Sequence, residues 1–89
     1  MIPVTITGGG ANHTAVTRFC GFSFYEDASA AALIIIRKGT VGGQILFTIP
    51  LAANEGATLV FPETFISTEG GVYVQESSGS ITGVLYQSV

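Results

Sequence analysis

Eighty-nine residues with a net charge of −3 and only 10% charged side chains make one small domain with a thin core. Three basic residues, Arg18, Arg37 and Lys38, cannot lay a basic stripe along a nucleic acid or an acidic membrane surface, so neither is an expected partner. The single cysteine, Cys20, excludes an intrachain disulfide. The N-terminus lacks a signal-peptide pattern, and the longest apolar run, AAALIII, is far short of the ~20 residues of a membrane helix, so folding in a cytoplasm is expected.

No segment carries a sustained helical period, and the chain reads as short strands punctuated by glycine. Residues 2–7 alternate and end in the triplet Gly8, Gly9, Gly10. Residues 1–14 are therefore either an extended arm on a glycine hinge or a first strand, and residues 15–89 form the body of the domain. In the next segment, residues 15–25, Cys20, Phe22 and Phe24 share one face, with Phe19, Gly21, Ser23 and Tyr25 on the other. Residues 32–37 are apolar on both faces, Ile34 and Ile36 opposing Leu33 and Ile35. A fourth segment, residues 44–51, puts Ile45, Phe47, Ile49 and Leu51 on one face and Leu46 on the other. Its Pro50 belongs at a sheet edge or a strand end.

Residues 53–56 then predict a tight hairpin into a strand over 58–61, and residues 65–67 a short edge piece. The closing stretch, EGGVYVQESSGSITGVLYQSV, predicts two strands, 72–76 and 81–87, joined by a hairpin at residues 77–80. Within it, Gly83 marks a bulge or a close backbone approach. Seven or eight short strands with turn signals at this spacing predict an all-β fold, a small antiparallel β-sandwich of jelly-roll or related Greek-key type.

The residues of chemistry are sparse. His13, the one histidine, lies in a Gly-rich stretch, and Cys20 sits in an apolar strand as a buried small hydrophobe. The acids are scattered over turns. Glu26 and Asp27 offer at most a weak Ca²⁺ site, and a solvated turn is the preferred reading. The glycine triplet is followed by no lysine and no helix, which excludes a phosphate-binding loop. No catalytic residue, metal or cofactor is expected. One small-molecule alternative is a carbohydrate-binding module using Tyr25, Tyr73 and Tyr86 as a platform. Tryptophan, the commonest platform residue, is absent, and tyrosine also serves at the rim of protein interfaces, which is the preferred reading.

With so few charges, much of the surface of so small a body is uncharged or apolar, the mark of an oligomer or of a subunit in an assembly. The candidate interface residues are Ile2, Val4 and Ile6 of the N-terminal segment, then Leu33, Ile35 and Leu46 on the second faces of core-facing strands. Tyr73 and Tyr86 complete the set.

From Ala31 onward the chain carries Arg37-Lys38-Gly39, Gly42-Gly43, Ile45, Ile49, Leu51, Phe61-Pro62, Gly71-Val72-Tyr73-Val74 and Gly79-Ser80-Ile81-Thr82-Gly83. In this succession of strands and turns it resembles small structural proteins of tailed phages. The resemblance implies a capsid decoration (cement) protein. Such proteins are often β-sandwich homotrimers that sit on the outer capsid surface, bound to the major capsid protein, and brace it. Another small head or tail subunit is the nearest variant of that reading. The resemblance places the chain in the virion, after synthesis in the host cytoplasm.

Overall fold

The computed structural model of the protein describes residues 2–40, 42–61 and 64–88, with backbone alone at 7–13, 78 and 79. Its strands in chain order are β1 (Ile2–Thr14), β2 (Arg18–Glu26), β3 (Ala32–Lys38), β4 (Ile45–Leu51), β5 (Gly56–Val60), β6 (Ile66–Ser67) and β7 (Val72–Gln87). There is no helix among the described residues. Runs such as ALIII and RFCGFSFY are β-branched and aromatic, side chains that pack well on a pleated surface.

Strand β7 organises the molecule. Its first half pairs with β3, from Lys38↔Val72 to Leu33↔Ser77, and its second half pairs with β2, from Glu26↔Ile81 to Phe19↔Gln87. Along its other side β7 pairs with β1 from Ile2↔Gln87 to Thr14↔Val72. One sheet therefore runs β1–β7–β2 with β5 and β6 along the far side of β2. The other runs β1–β7–β3–β4, and all pairings are antiparallel. The fold is the expected small β-sandwich, with its two sheets sharing β1 and β7.

The passage from sheet to sheet lies where the register slips. Between the pairs Gly8↔Ile81 and Gly10↔Glu76, β1 has one residue, Gly9, and β7 has four, residues 77–80. The Ser-Ser-Gly-Ser break, expected as a hairpin, is a bulge that turns one long strand through a corner. The glycine triplet is the matching weak point of β1. Residues 2–14 form a continuous strand paired with β7 in both sheets.

The second expected hairpin, at residues 53–56, is also a turn without a hairpin. Glu55 N–H donates to Ala52 O at 3.1 Å, and Asn54 takes the left-handed conformation that asparagine tolerates (φ 60°). The strands it joins enter different sheets, β4 beside β3 and β5 beside β2. Among the described residues, only β3 and β4 are both consecutive and paired. Apart from the step between β5 and β6, the remaining connections cross between sheets, as in Greek-key sandwiches.

Two one-residue bulges decide which side chains enter the core. In β2 the register against β7 slips between Phe19 and Gly21. Alternation alone places Phe19 opposite Phe22 and Phe24, but the slip brings all three inside, Phe19 with no exposed surface. Gly21 makes the slip possible. It has φ +154°, and a Cβ there would lie 2.3 Å from Leu59 O. In β4 the register against β3 slips opposite Ile36 and Arg37. That slip exposes Ile45, expected to face the core, and packs Leu46, expected on the far face, against it.

The aromatic rings join the layers. Phe47 of β4 lies edge-on to Phe19 and Phe22 of β2, at centroid distances of 6.0 and 5.7 Å, and Phe61 packs on both Phe19 and Phe47. Phe19→Ala removes the ring at the centre of this cluster. It should cost about 3–5 kcal/mol, a drop in the thermal midpoint of roughly 15–30 °C. Urea and thermal unfolding followed by circular dichroism measure it.

Candidate interaction surface

The outer face of the β3–β4–β7 sheet is a grid of three rows set by cross-strand register. Leu33 stands between Pro50 and Ser77, Ile35 between Thr48 and Gln75, and Arg37 between Ile45 and Tyr73. At ordinary strand and residue spacings the grid covers roughly 10 by 14 Å. Leu33 is 38% exposed and Ile45 48%, while Ile35 and Tyr73 are half-buried. Arg37 is the one charged residue of the grid. Its Nη1 donates to Gly43 O at 3.1 Å, tying it to the turn after β3, and its Nε is buried without a hydrogen bond.

The structure brings together three of the sequence-derived interface residues on this face: Leu33, Ile35 and Tyr73. Leu46 is turned to the core by the bulge, and Ile45 stands on the face instead. Alternation could not have found Ile45, because the slip that exposes it leaves no mark in β4. Of the N-terminal candidates, Ile6 is buried and Val4 packs against the core, while Ile2 is 45% exposed. Tyr86 lies on the outer face of the other sheet, between Pro3 and Gly21.

That other outer face is built differently. Tyr25, Ser23, Thr58, Val84, Thr82 and Thr5 lie across it. Three of its hydroxyls are hydrogen-bonded: those of Ser23 and Thr58 are 2.9 Å apart, and that of Thr82 donates to the Asp27 carboxylate. Tyr25 and Tyr86 share this face and Tyr73 is on the opposite one, so the three tyrosines do not form one platform.

The other sequence candidates also fall apart in space. The register sets His13 opposite Tyr73, whereas Cys20 is buried in β2 of the other sheet. Among the described residues no group of three or more His, Cys, Asp or Glu is placed to hold a metal ion. Glu26 is not a solvated turn residue. It is fully buried at the corner, where its carboxylate accepts the N–H groups of Ser80 (3.0 Å), Ala28 (2.9 Å), Asn54 (3.2 Å) and Ala30 (3.1 Å). Burial raises its pKa, but the four backbone donors outweigh burial and hold it at about 2. With both oxygens engaged by N–H groups, Glu26 ties the β2–β3 loop, the β4–β5 turn and the β7 corner together.

A shallow depression of about 430 Å³ opens beside the start of β2, lined by Thr17, Arg18, Phe65, Ser67 and Glu69. The Arg18 guanidinium lies over the Phe65 ring at 5.4 Å.

Comparison of the chain with protein-family models, with curated proteins and with solved structures finds no match.

Proposed function

We propose that the protein is a non-enzymatic virion subunit, a capsid decoration protein that assembles as a homotrimer and covers the major capsid protein on the outer capsid surface. The observation that carries this reading is the outer face of the β3–β4–β7 sheet. Leu33, Ile35, Ile45, Pro50 and Tyr73 lie together there with Arg37 as the only charge. Such a patch on a small rigid sandwich supports docking, because covering it removes apolar surface from water at little ordering cost. The resemblance of residues 31–89 to phage structural proteins is the ground for naming the major capsid protein as the partner.

The test is co-sedimentation of the purified protein with emptied, expanded capsids, with copies per particle counted by mass spectrometry or electron cryomicroscopy. Binding by a species that sediments as a trimer supports the proposal, and a count of zero sinks it. A monomer that instead binds sugar, and loses it on Tyr25→Ala, would establish the carbohydrate reading. Replacing the two most exposed apolar residues of the face, Leu33→Ser with Ile45→Ser, should change folding stability by no more than about 1 kcal/mol. The same pair should weaken capsid binding by roughly 30-fold or more. Thermal unfolding and binding isotherms on one preparation separate the two effects.

A further inference from the structure

Hydrogen-bond parity fixes which way each edge strand turns its backbone. In antiparallel pairing alternate residues bond one neighbour, and the residues between them face the other side. Asp27 donates its N–H to Ser80 O at 3.0 Å, so the even-numbered residues of the second half of β7 bond β2 and the odd-numbered ones bond β1. The β1 partners of those odd residues include Ile2, Val4 and Ile6, which leaves Pro3 and Thr5 facing the free edge.

The other sheet repeats the arrangement. Lys38 donates to Gln44 O at 2.8 Å, and Gly39 donates to Gly71 O at 2.8 Å. Even residues of β3 thus bond β4 and odd ones bond β7. Beyond the bulge the β4 partners are Phe47, Ile49 and Leu51, so Thr48 and Pro50 face outward. Pro3 and Pro50 each occupy an outward position, where the missing N–H costs the sheet nothing and denies a donor to any strand laid alongside. The third edge, β5, has only five residues.

We infer that Pro3 and Pro50 close the β1 and β4 edges to strand addition, so that partners dock on a sheet face and copies of the chain do not join edge to edge. β1 needs such a block. It is an uncharged 13-residue edge strand with Ile2, Val4 and Ile6 alternating along it, the pattern that invites an added strand. The inference does not depend on what the docking partner is.

The double variant Pro3→Thr, Pro50→Thr restores one outward N–H on each edge. In sedimentation velocity it should form larger species that grow with concentration, with edge association tightened by on the order of tenfold or more from the regained backbone bonds. Hydrogen exchange on the unaltered protein gives a second reading that needs no variant. The N–H groups of Thr5 and Thr48 should exchange quickly in the assembled state, while that of Val74, bonded to β1, is protected. A folded double variant that sediments like wild type overturns the inference. So does protection of Thr5 or Thr48 equal to that of Val74. Should the variant fail to fold, the exchange result decides. Capsid binding, tested through Leu33 and Ile45, can fail without touching either readout.

Discussion

Gly83→Ala is expected to destabilise the protein severely, although the substitution adds one methyl group. Gly83 lies in β7 between Phe24 of β2 and Ile6 of β1. A Cβ at this position would sit 1.9 Å from Ser23 O and 2.9 Å from the Cα of Phe24. Both are backbone atoms, so no side-chain rotation relieves the contact. β7 would have to withdraw from β2 by about 1 Å or more, loosening the rungs at Ser23↔Val84 and Tyr25↔Thr82 on either side. Lost ladder bonds and displaced core contacts together should cost about 4 kcal/mol or more, a large share of the roughly 4–13 kcal/mol available to a domain of this length. Gly42 is the control. A Cβ there has open space around it, and Gly42→Ala should stay within about 1 kcal/mol of wild type. Urea titration of the two variants side by side checks the contrast. A Gly83→Ala protein with a wild-type midpoint would show that β7 and β2 are not so closely apposed.

The glycine at 83 was legible as a bulge or a close approach, and the close approach is what occurs. Other local signals were legible in the same way. Ile34 and Ile36 face the core, Pro50 lies on an edge strand, and residues 53–56 and 77–80 do turn the chain. The destination of each turn was not legible. A turn sequence specifies a local reversal or kink, whereas hairpin, arch or corner is decided by which distant strand supplies the partner. At residues 77–80 the partner changes from β3 to β2 in mid-strand, and nothing within EGGVYVQESSGSITGVLYQSV encodes it. Facing was lost for a different reason. Strand period is two, so one extra residue inverts every assignment on one side of it. Gly21 hints at the slip that brings Phe19 inside. The slip in β4, which exchanges the facing of Ile45 and Leu46, has no such glycine to mark it.

The low charge of the chain takes a different form on each outer face. On the β2 side the uncharged surface is largely hydroxyl, with Ser23 and Thr58 bonded to each other and Thr82 bonded to Asp27. On the β3 side it is Leu33, Ile35, Ile45 and Pro50. A composition rich in small polar residues and poor in charge therefore separates into one face carrying hydrogen-bonded hydroxyls and one carrying exposed apolar side chains. With two edges carrying outward prolines, a face is also the broadest surface left for association. The same division predicts that stability and binding respond to different residues.

Glu26→Gln is expected to destabilise the protein at neutral pH and to remove part of its sensitivity to acid. The carboxylate is held by four N–H donors from three segments that are far apart in sequence, and it offers acceptors only. Glutamine keeps one oxygen and puts an amino group where backbone N–H groups converge, so donors meet donors at a fully buried position. The β2–β3 loop, the β4–β5 turn and the β7 corner would each lose an anchor. The pH dependence has a definite sign. The folded-state pKa, about 2, lies below the ordinary value of 4.5, so the unfolded chain takes up a proton at this site before the folded one does. The stabilisation is complete above pH 4.5 and is lost as pH falls from there through 2. The stability difference between wild type and Glu26→Gln should therefore be greatest at neutral pH and shrink across that window. Unfolding free energies from urea titrations at a series of pH values measure it. A difference that stays constant from pH 7 to pH 2, or widens in acid, would refute the role assigned to the carboxylate. A difference that narrows as stated ties the acid limit of the fold to one side chain at the corner where the two sheets meet.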